Sequence, residues 1–306
     1  MNETLISIAV VVYNSSKTVI ETLDSIYNQT YQNIELIISD DCSKDDTMSK
    51  CRQWLDTHKE RFKRVELLTV EKNSGVTANF SRAEKACHSD WVKSIAGDDV
   101  LFPHAIQTYV RFIEEHPNTV YVFSKVKVFG NDQSVVDYFN DNIFDYSFFL
   151  LPVEKQYEWL VSRRSQPIPA ATTFYNKNKT QALGLFWDER VPMLEDWPRW
   201  IQCIEKQIHF EFIDQELVKY RLSETSICSG EVYVDSFRKS ESLLFIYYQY
   251  KPSIKYVGRI NAWARYVECQ KMLSKNIKWE VLNVIAQILI LPSRINRKFK
   301  KICKNY

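Results

Sequence analysis

The chain has 306 residues, of which 45% are hydrophobic and 25% charged, an ordinary composition for a globular protein with a large core. Its 40 basic and 38 acidic residues leave a formal net charge of +2, so charge alone names no partner, and we expect no nucleic acid. Seven scattered cysteines without a Cys-x-x-Cys pair argue against a disulfide framework or a zinc knuckle. No basic leader precedes the first apolar run, so we expect a cytoplasmic protein.

Two kinds of segment alternate along the first 130 residues. Short runs rich in β-branched residues predict strands, and apolar residues at helical spacing predict helices between them. The predicted strands are 5–13, 34–39, 65–70, 91–96 and 120–129, and the predicted helices are 17–28, 45–59, 76–88 and 103–116. This alternation predicts an α/β fold, a mostly parallel sheet flanked by helices on both faces.

Two pairs of adjacent aspartates follow predicted strands. Asp40 and Asp41 end the second strand, and Asp98 and Asp99 come directly after the fourth. In open α/β sheets, ligands bind outside the carboxyl ends of the strands. We therefore expect both pairs at the ligand-binding edge, where like charges need a cation or hydrogen-bond donors.

The glycine content restricts the ligand. Only six glycines are present, and neither G-x-G-x-x-G nor G-x-x-x-x-G-K occurs, which excludes dinucleotide and P-loop sites. Without a glycine cradle, a bound diphosphate is most simply neutralised by a divalent cation held by carboxylates. The sequence therefore favours a nucleoside diphosphate bound with Mg²⁺ or Mn²⁺.

The segment 10–47, VVVYNSSKTVIETLDSIYNQTYQNIELIISDDCSKDDT, resembles the opening of the family 2 glycosyltransferases. Their GT-A fold begins with such a strand, a Tyr-Asn turn, a helix and a D-D-x-S-x-D-x-T motif. Further segments that resemble family blocks are EKNSGVTANFSRA (71–83), AGDDVLFP (96–103), MLEDWPRW (193–200) and VKYRLSETS (218–226). The resemblance implies a GT-A fold with a helical C-terminal extension.

The resemblance implies a donor site for a nucleotide-sugar, with UDP-sugar as the expected donor. The residues it places there are Val11, Tyr13, Asp41, Asn73 and Asp98. Tyr13 would stack on the nucleobase, for which an aromatic face is suited, and Asp41 would hydrogen-bond the base or the ribose.

The resemblance also implies a metal and a general base. Mn²⁺ or Mg²⁺ would be held by Asp99 and Asp98, and which of the two is the ligand stays open because Ala96 replaces a further acid of many members. Asp196 occupies the position of the general base on the acceptor side, with Glu195 as its hydrogen-bonding support.

Several of these acids also have a structural interpretation. Asp40 and Asp41 could form a turn, and Asp45 or Asp46 is expected to begin a helix, where the helix dipole favours a negative charge. Ser223 stands where many members carry a histidine, so the metal or phosphate contact of that histidine is not carried over.

The function implied is inverting transfer of a sugar to a hydroxyl of a glycan or lipid-linked glycan, in capsule or O-antigen synthesis. Two alternatives stay open. A nucleotidyltransferase would need a glycine-rich, basic phosphate loop, which VVVYNSSK (10–17) does not supply. A non-catalytic sugar-binding or scaffold protein of the same fold is favoured only by the acid missing at Ala96.

The expected organisation is a GT-A domain at 1–228, with a nucleotide-sugar-binding half (1–130) and an acceptor half (131–228), and a helical region at 229–306. Within the latter, WEVLNVIAQILILP (279–292) is apolar but too short to span a bilayer. Six Lys or Arg residues follow it, which favours peripheral contact with an anionic membrane surface through 279–306. A helix docked on the protein itself is the alternative.

Overall fold

The computed structural model describes residues 3–134, 136–137, 144–162, 168–191, 194–222, 263–264, 267, 271 and 277–304. Ser223 and the domain boundary expected at residue 228 lie outside the described residues.

The described residues form one eight-stranded sheet with helices around it. The strands are β1 Ile6–Val12, β2 Ile34–Asp40, β3 Val65–Leu68, β4 Trp91–Ala96, β5 Val100–Leu101, β6 Tyr121–Gly130, β7 Phe174–Asn176 and β8 Phe210–Leu222. The helices are α1 Val19–Tyr27, α2 Thr47–His58, α3 Val76–Ala86, α4 Ala105–Glu115, α5 Val153–Ser162, α6 Lys177–Ala182, α7 Asp196–Glu205 and α8 Ile277–Lys304. The strand order is β3-β2-β1-β4-β7-β6-β8-β5.

The sheet confirms the predicted α/β architecture. Strands β1 to β4 pair in parallel, as do β6 and β8, whereas β7 and β5 run antiparallel to their neighbours. Every residue of β1 and β2 is buried, which explains their continuous apolar runs, because a parallel sheet is covered on both faces.

Alternate residues of β1 enter two different cores. Ile8 and Val10 pack in one core with residues of α1, α2 and α4, whereas Ala9 and Val11 pack in the other with residues of α3 and α7. Successive side chains of a strand point to opposite faces of the sheet, so these helices cover both faces. Full burial of each valine or isoleucine side chain among them contributes about 1.5–3 kcal/mol.

The sheet must curl, because β5 follows β4 closely in sequence but lies four strands away in the sheet. In a flat sheet, four strand spacings would separate the two by about 19 Å. The chain from Ala96 to Val100 spans at most about 14 Å. Curling therefore brings β8 and β5 round to the segment 97–99, which carries the second acid pair.

Helix α8 lies against a separate small cluster. Ala286 is fully buried and packs with Ala264 and Val267, while Trp279 and Leu282 are partly buried there. Among the described residues, no helix is long and apolar enough to cross a membrane.

Candidate active site

The carboxyl end of β1 lies between the two acid-bearing segments. The Asp41 N–H donates to the Val12 carbonyl over 3.0 Å, and the Gly97 N–H donates to the Val11 carbonyl over 2.9 Å. A Cβ at Gly97 would come within 2.6 Å of Val12 Cγ1, so only glycine permits this approach. The structure thus brings the two acid pairs to the same sheet edge, as the sequence predicts.

Asp41 is almost fully buried and holds the loop before α3. Its carboxylate accepts hydrogen bonds from the Ser74 N–H at 3.0 Å, the Gly75 N–H at 2.8 Å and the Ser74 hydroxyl at 2.5 Å. Arg82 completes the site with an ion pair at 3.1 Å. The amide of Asn73 donates to the Asp41 main-chain carbonyl over 3.2 Å. Asp41 therefore fixes the loop before α3, and its contact with a base or ribose stays a prediction.

Arg82 was not singled out from the sequence, although it lies in the segment 71–83. Its guanidinium also donates to the Asp40 carbonyl at 3.2 Å and to Asn79 Oδ1 at 2.8 Å. Gly75, Asn79 and Arg82 are spaced by four and three residues, which puts them on one side of α3. That spacing is the signal that could have identified Arg82.

Asp40 has a structural role. Its carboxylate accepts hydrogen bonds from the Ser43 N–H at 3.1 Å and the Thr69 hydroxyl at 3.0 Å, and only 1% of the residue is exposed. The turn interpretation of this acid is therefore the one that the contacts support.

The rest of the motif, Ser43 to Thr47, braces the turn after β1. Asp45 accepts a hydrogen bond from the Ser16 N–H at 3.0 Å, and the Ser43 hydroxyl accepts one from the Asn14 N–H at 2.8 Å. Partial burial alone would raise the pKa of Asp45, but hydrogen bonds from Thr47 and Ser16 outweigh it and lower that pKa to about 2. Asp45 is structural, as expected: it braces this turn and also accepts a hydrogen bond from the N–H of Thr47, the first residue of α2, at 3.0 Å.

The braced turn presents Tyr13 to solvent. Asn14 adopts a left-handed conformation with φ 51°, which reverses the chain after β1, and the Tyr13 side chain is 49% exposed. A ring held open at the carboxyl end of a central strand can stack on a planar base. Val11, by contrast, is buried in the core. Its main chain pairs with the neighbouring strands, and its carbonyl accepts a hydrogen bond from the Gly97 N–H.

Asp98 and Asp99 are held by β8. The Arg221 N–H donates to Asp99 Oδ1 over 2.9 Å, and the Arg221 guanidinium donates to the Asp98 carbonyl over 2.8 Å and pairs with Glu21. Burial raises the pKa of both carboxyls, and the neighbouring Asp98 charge raises the pKa of Asp99 further. The positive charges of Lys93, which is fully buried, and of Arg221 offset part of this rise in the pKa of Asp99.

These two carboxylates fit a divalent cation. Magnesium-type ions are usually bound by one or two protein carboxylates together with phosphate oxygens and water. No cluster of three or more His, Cys, Asp or Glu side chains suited to a metal occurs among the described residues. A cation here would therefore take its remaining ligands from a bound diphosphate, and it would offset the repulsion between the two adjacent acids, of which Asp99 is buried and Asp98 half-buried.

Glu195 and Asp196 lie at the start of α7. Asp196 is the first residue of that helix, both acids are half-buried, and the Trp197 N–H donates to Asp196 Oδ1 over 2.6 Å. The Thr77 hydroxyl donates to the Val191 carbonyl over 2.5 Å, so the chain that leads to α7 contacts the first turn of α3. The acid motif thus follows a segment that is anchored to the first turn of α3.

A buried ion pair joins α7 to α3. Arg199 is 1% exposed; its Nη2 lies 3.2 Å from Glu84 Oε2, and its Nε donates to the Tyr121 hydroxyl over 2.7 Å. Glu84 Oε2 also accepts hydrogen bonds from the Tyr175 hydroxyl at 2.6 Å and from Trp187 Nε1 at 2.8 Å. No sequence signal pointed to this pair, because its members are 115 residues apart.

Solved structures define the class of fold. S. aureus TarS in complex with UDP-GlcNAc aligns with a TM-score of 0.60 at 16% identity, over 87% of this chain and 81% of that one. The mannosyltransferase PcManGT from Pyrobaculum calidifontis, in complex with GDP-Man and Mn²⁺, aligns with a TM-score of 0.57 at 15% identity, over 95% and 82%. The fold is therefore that of the GT-A glycosyltransferases.

The family follows from the sequence comparison. The model of glycosyl transferase family 2 matches residues 7–165, more than half of the chain, and the chain belongs to this family. EpsE of Bacillus subtilis is 30% identical over 124 residues, 40% of this chain and 44% of that protein, so the chain spans less than half of that relative. The Escherichia coli protein UDP-Glc:alpha-D-GlcNAc-diphosphoundecaprenol beta-1,3-glucosyltransferase WfgD is 23% identical over 76% of this chain and 82% of its own.

Proposed function

We propose that the protein is a metal-dependent, inverting glycosyltransferase that moves a sugar from a UDP-sugar to a hydroxyl of a glycan or lipid-linked glycan. The observation that carries this proposal is the adjacent Asp98–Asp99 pair, with Asp99 buried and Asp98 half-buried, held by Arg221 at the edge where β1 and β2 end. A nucleoside diphosphate with its cation is the ligand that such a pair suits.

Different residues of the chain have different proposed roles in binding the nucleotide-sugar and the metal. Tyr13 offers an exposed ring for the base, and Asp41 with Arg82 fixes the loop beside it. Asp98 and Asp99 would hold Mn²⁺ or Mg²⁺, which acts as a Lewis acid that offsets the charge growing on the leaving diphosphate.

Asp196 is the proposed general base on the acceptor side. An attacking hydroxyl must lose its proton on the face of the sugar opposite the leaving group, which requires a carboxylate distinct from those on the donor side. Asp196 is half-buried at the start of α7, and Glu195 beside it is its proposed hydrogen-bonding support.

The proposed setting is bacterial surface-polysaccharide synthesis at a membrane. WfgD is named for a diphosphoundecaprenol-linked acceptor, and TuaG of Bacillus subtilis, 21% identical over 74% of this chain, is named for teichuronic acid biosynthesis. An acceptor carried on a lipid is presented at a membrane face, so a cytoplasmic chain that acts on it would associate peripherally with that face.

A screen of UDP-, GDP- and dTDP-sugars with and without Mn²⁺ tests the proposal. A bound ligand at about 100 times its Kd should add about 2.7 kcal/mol to the free energy of unfolding, read as a raised Tm. We expect UDP-sugars to raise the Tm only when Mn²⁺ is present, and the sugar so identified to be transferred or slowly hydrolysed. A chain that binds no nucleotide-sugar, or binds one without turning it over, would support the scaffold alternative.

A further inference from the structure

Helix α8 carries an apolar face that the described part of the protein leaves open. Ile277, Val281, Val284, Ile285 and Ile288 have exposed fractions of 43–77%. Their spacing of four, three, one and three residues places them within about 100° of the helix circumference. Exposed apolar residues scattered singly are ordinary, but a continuous stripe of this kind marks a docking surface.

The other side of α8 is already occupied. Ala286 is fully buried against Ala264 and Val267, and Lys271 pairs with Glu280 over 2.9 Å. The described residues thus hold the helix by one side, and contacts with them do not account for the exposed stripe.

The charge of α8 distinguishes between two partners for the stripe, a second copy of this helix and an anionic lipid surface. Residues 281–306 include six Lys or Arg and no Asp or Glu. A second copy of α8 on this face would add six more positive charges, which opposes self-association, whereas anionic lipid attracts all of them.

We propose that α8 lies in the plane of an anionic lipid surface, with the stripe from Ile277 to Ile288 inserted and the basic segment 294–304 at the headgroups. None of the described helices is suited to cross a membrane, so α8 would lie on the bilayer. The proposal deepens the membrane setting of the proposed function by naming the surface that contacts lipid. Its test does not use activity, so either can fail without the other.

Co-sedimentation of the full chain with vesicles tests the proposal, using phosphatidylcholine alone or with about 30% phosphatidylglycerol. Wild type should bind the anionic vesicles. It should lose most of this binding in about 1 M salt, because charges more than about 3 Å apart are then largely screened from one another. The double variant Val284→Ser with Ile288→Ser should bind at least about tenfold less, because both side chains belong to the inserted stripe. The matched control, Asn283→Ser with Gln287→Ser, makes the same number of serines outside the stripe and should bind as wild type.

A charge variant provides a second arm. Arg297→Gln, Lys298→Gln and Lys301→Gln together should weaken binding to anionic vesicles at least about tenfold and leave binding to neutral vesicles unchanged. The proposal is overturned if wild type ignores anionic vesicles, or if the stripe variant and the matched control bind alike. It is also overturned if gel filtration shows a dimer that the stripe variant dissociates, because the stripe would then bind a second copy. Unchanged Tm values in the variants establish that the fold is intact, since the stripe side chains are exposed.

Discussion

The main-chain N–H of Arg221 donates to Oδ1 of Asp99 over 2.9 Å, although 122 residues separate them in sequence. One carboxylate oxygen of Asp99 is thus fixed by β8, which orients the side chain that we propose as a metal ligand. A carboxylate whose orientation is set in advance binds a metal without the cost of ordering a free side chain.

The first prediction concerns the metal. Asp98→Asn and Asp99→Asn should each abolish Mn²⁺-dependent binding of UDP, measured by titration calorimetry, and should abolish transfer. The Tm should be unchanged or raised, because each substitution relieves the repulsion between two adjacent carboxylates. Asp56→Asn, an exposed acid of α2, is the matched control and should behave as wild type. Retention of metal-dependent UDP binding by both site variants would contradict the assignment.

The second prediction concerns the general base. Asp196→Asn keeps the shape of the side chain and removes its basicity, so turnover should fall by about 10² to 10⁴ while the Kd for the UDP-sugar stays nearly constant. Steady-state kinetics with a saturating donor measure the effect. Glu195→Gln is the comparison: a dead Glu195→Gln beside a normal Asp196→Asn would exchange the two roles, and two active variants would remove both residues from the mechanism.

The third prediction concerns the ion pair that joins α3 to α7. Arg199→Met should lower the free energy of unfolding by about 3–5 kcal/mol, because it leaves the Glu84 carboxylate buried without its cation. Adding Glu84→Gln to that variant should recover part of the loss, which urea unfolding of both single variants and the double variant measures. Additive losses in this cycle would show that the two residues do not interact.

The fourth prediction concerns the pH dependence of the brace at Asp45. Its folded pKa of about 2 lies below the ordinary 3.8, so its contribution is present above pH 3.8 and is lost as the pH falls through 2. Asp45→Ala should cost up to about 1 kcal/mol at neutral pH, and the gap to wild type should close between about pH 4 and 2. Urea unfolding across that range measures it, with Asp46→Ala as the control. A gap that does not change with pH would mean that the ionised carboxylate is not the stabilising form.

The sequence predicted the sheet well where local pattern decides the structure. Predicted strand 34–39 and observed β2, Ile34–Asp40, agree within one residue, because a strand buried on both faces needs a continuous apolar run. The helix predicted at 103–116 is observed as α4, which begins two residues later than predicted, at Ala105, with Pro103 in the preceding turn. β5 and β7, with two and three residues, are too short to show any periodicity.

The candidate site was predictable only in part, because its supports come from distant parts of the chain. The acid pairs were found from their position after strands, but Arg221 reaches Asp99 only because the sheet curls. Arg199 and Glu84 meet through tertiary packing of two helices that no local pattern brings together. Asp45 was correctly expected to be structural, but its partner Ser16 could not be deduced from the spacing.

The curl of the sheet has a consequence for synthesis on the ribosome. Strands β1 to β4 can pair as soon as residue 96 has emerged, but the partners of β5 and Asp99 lie between Val218 and Arg221. Long-range contacts of this kind form late, because a large loop must close before they stabilise anything. During translation of the residues in between, the two acids at 98 and 99 lack their contacts with Arg221. The nascent chain would therefore complete the proposed metal site only when the second half of the domain has been made.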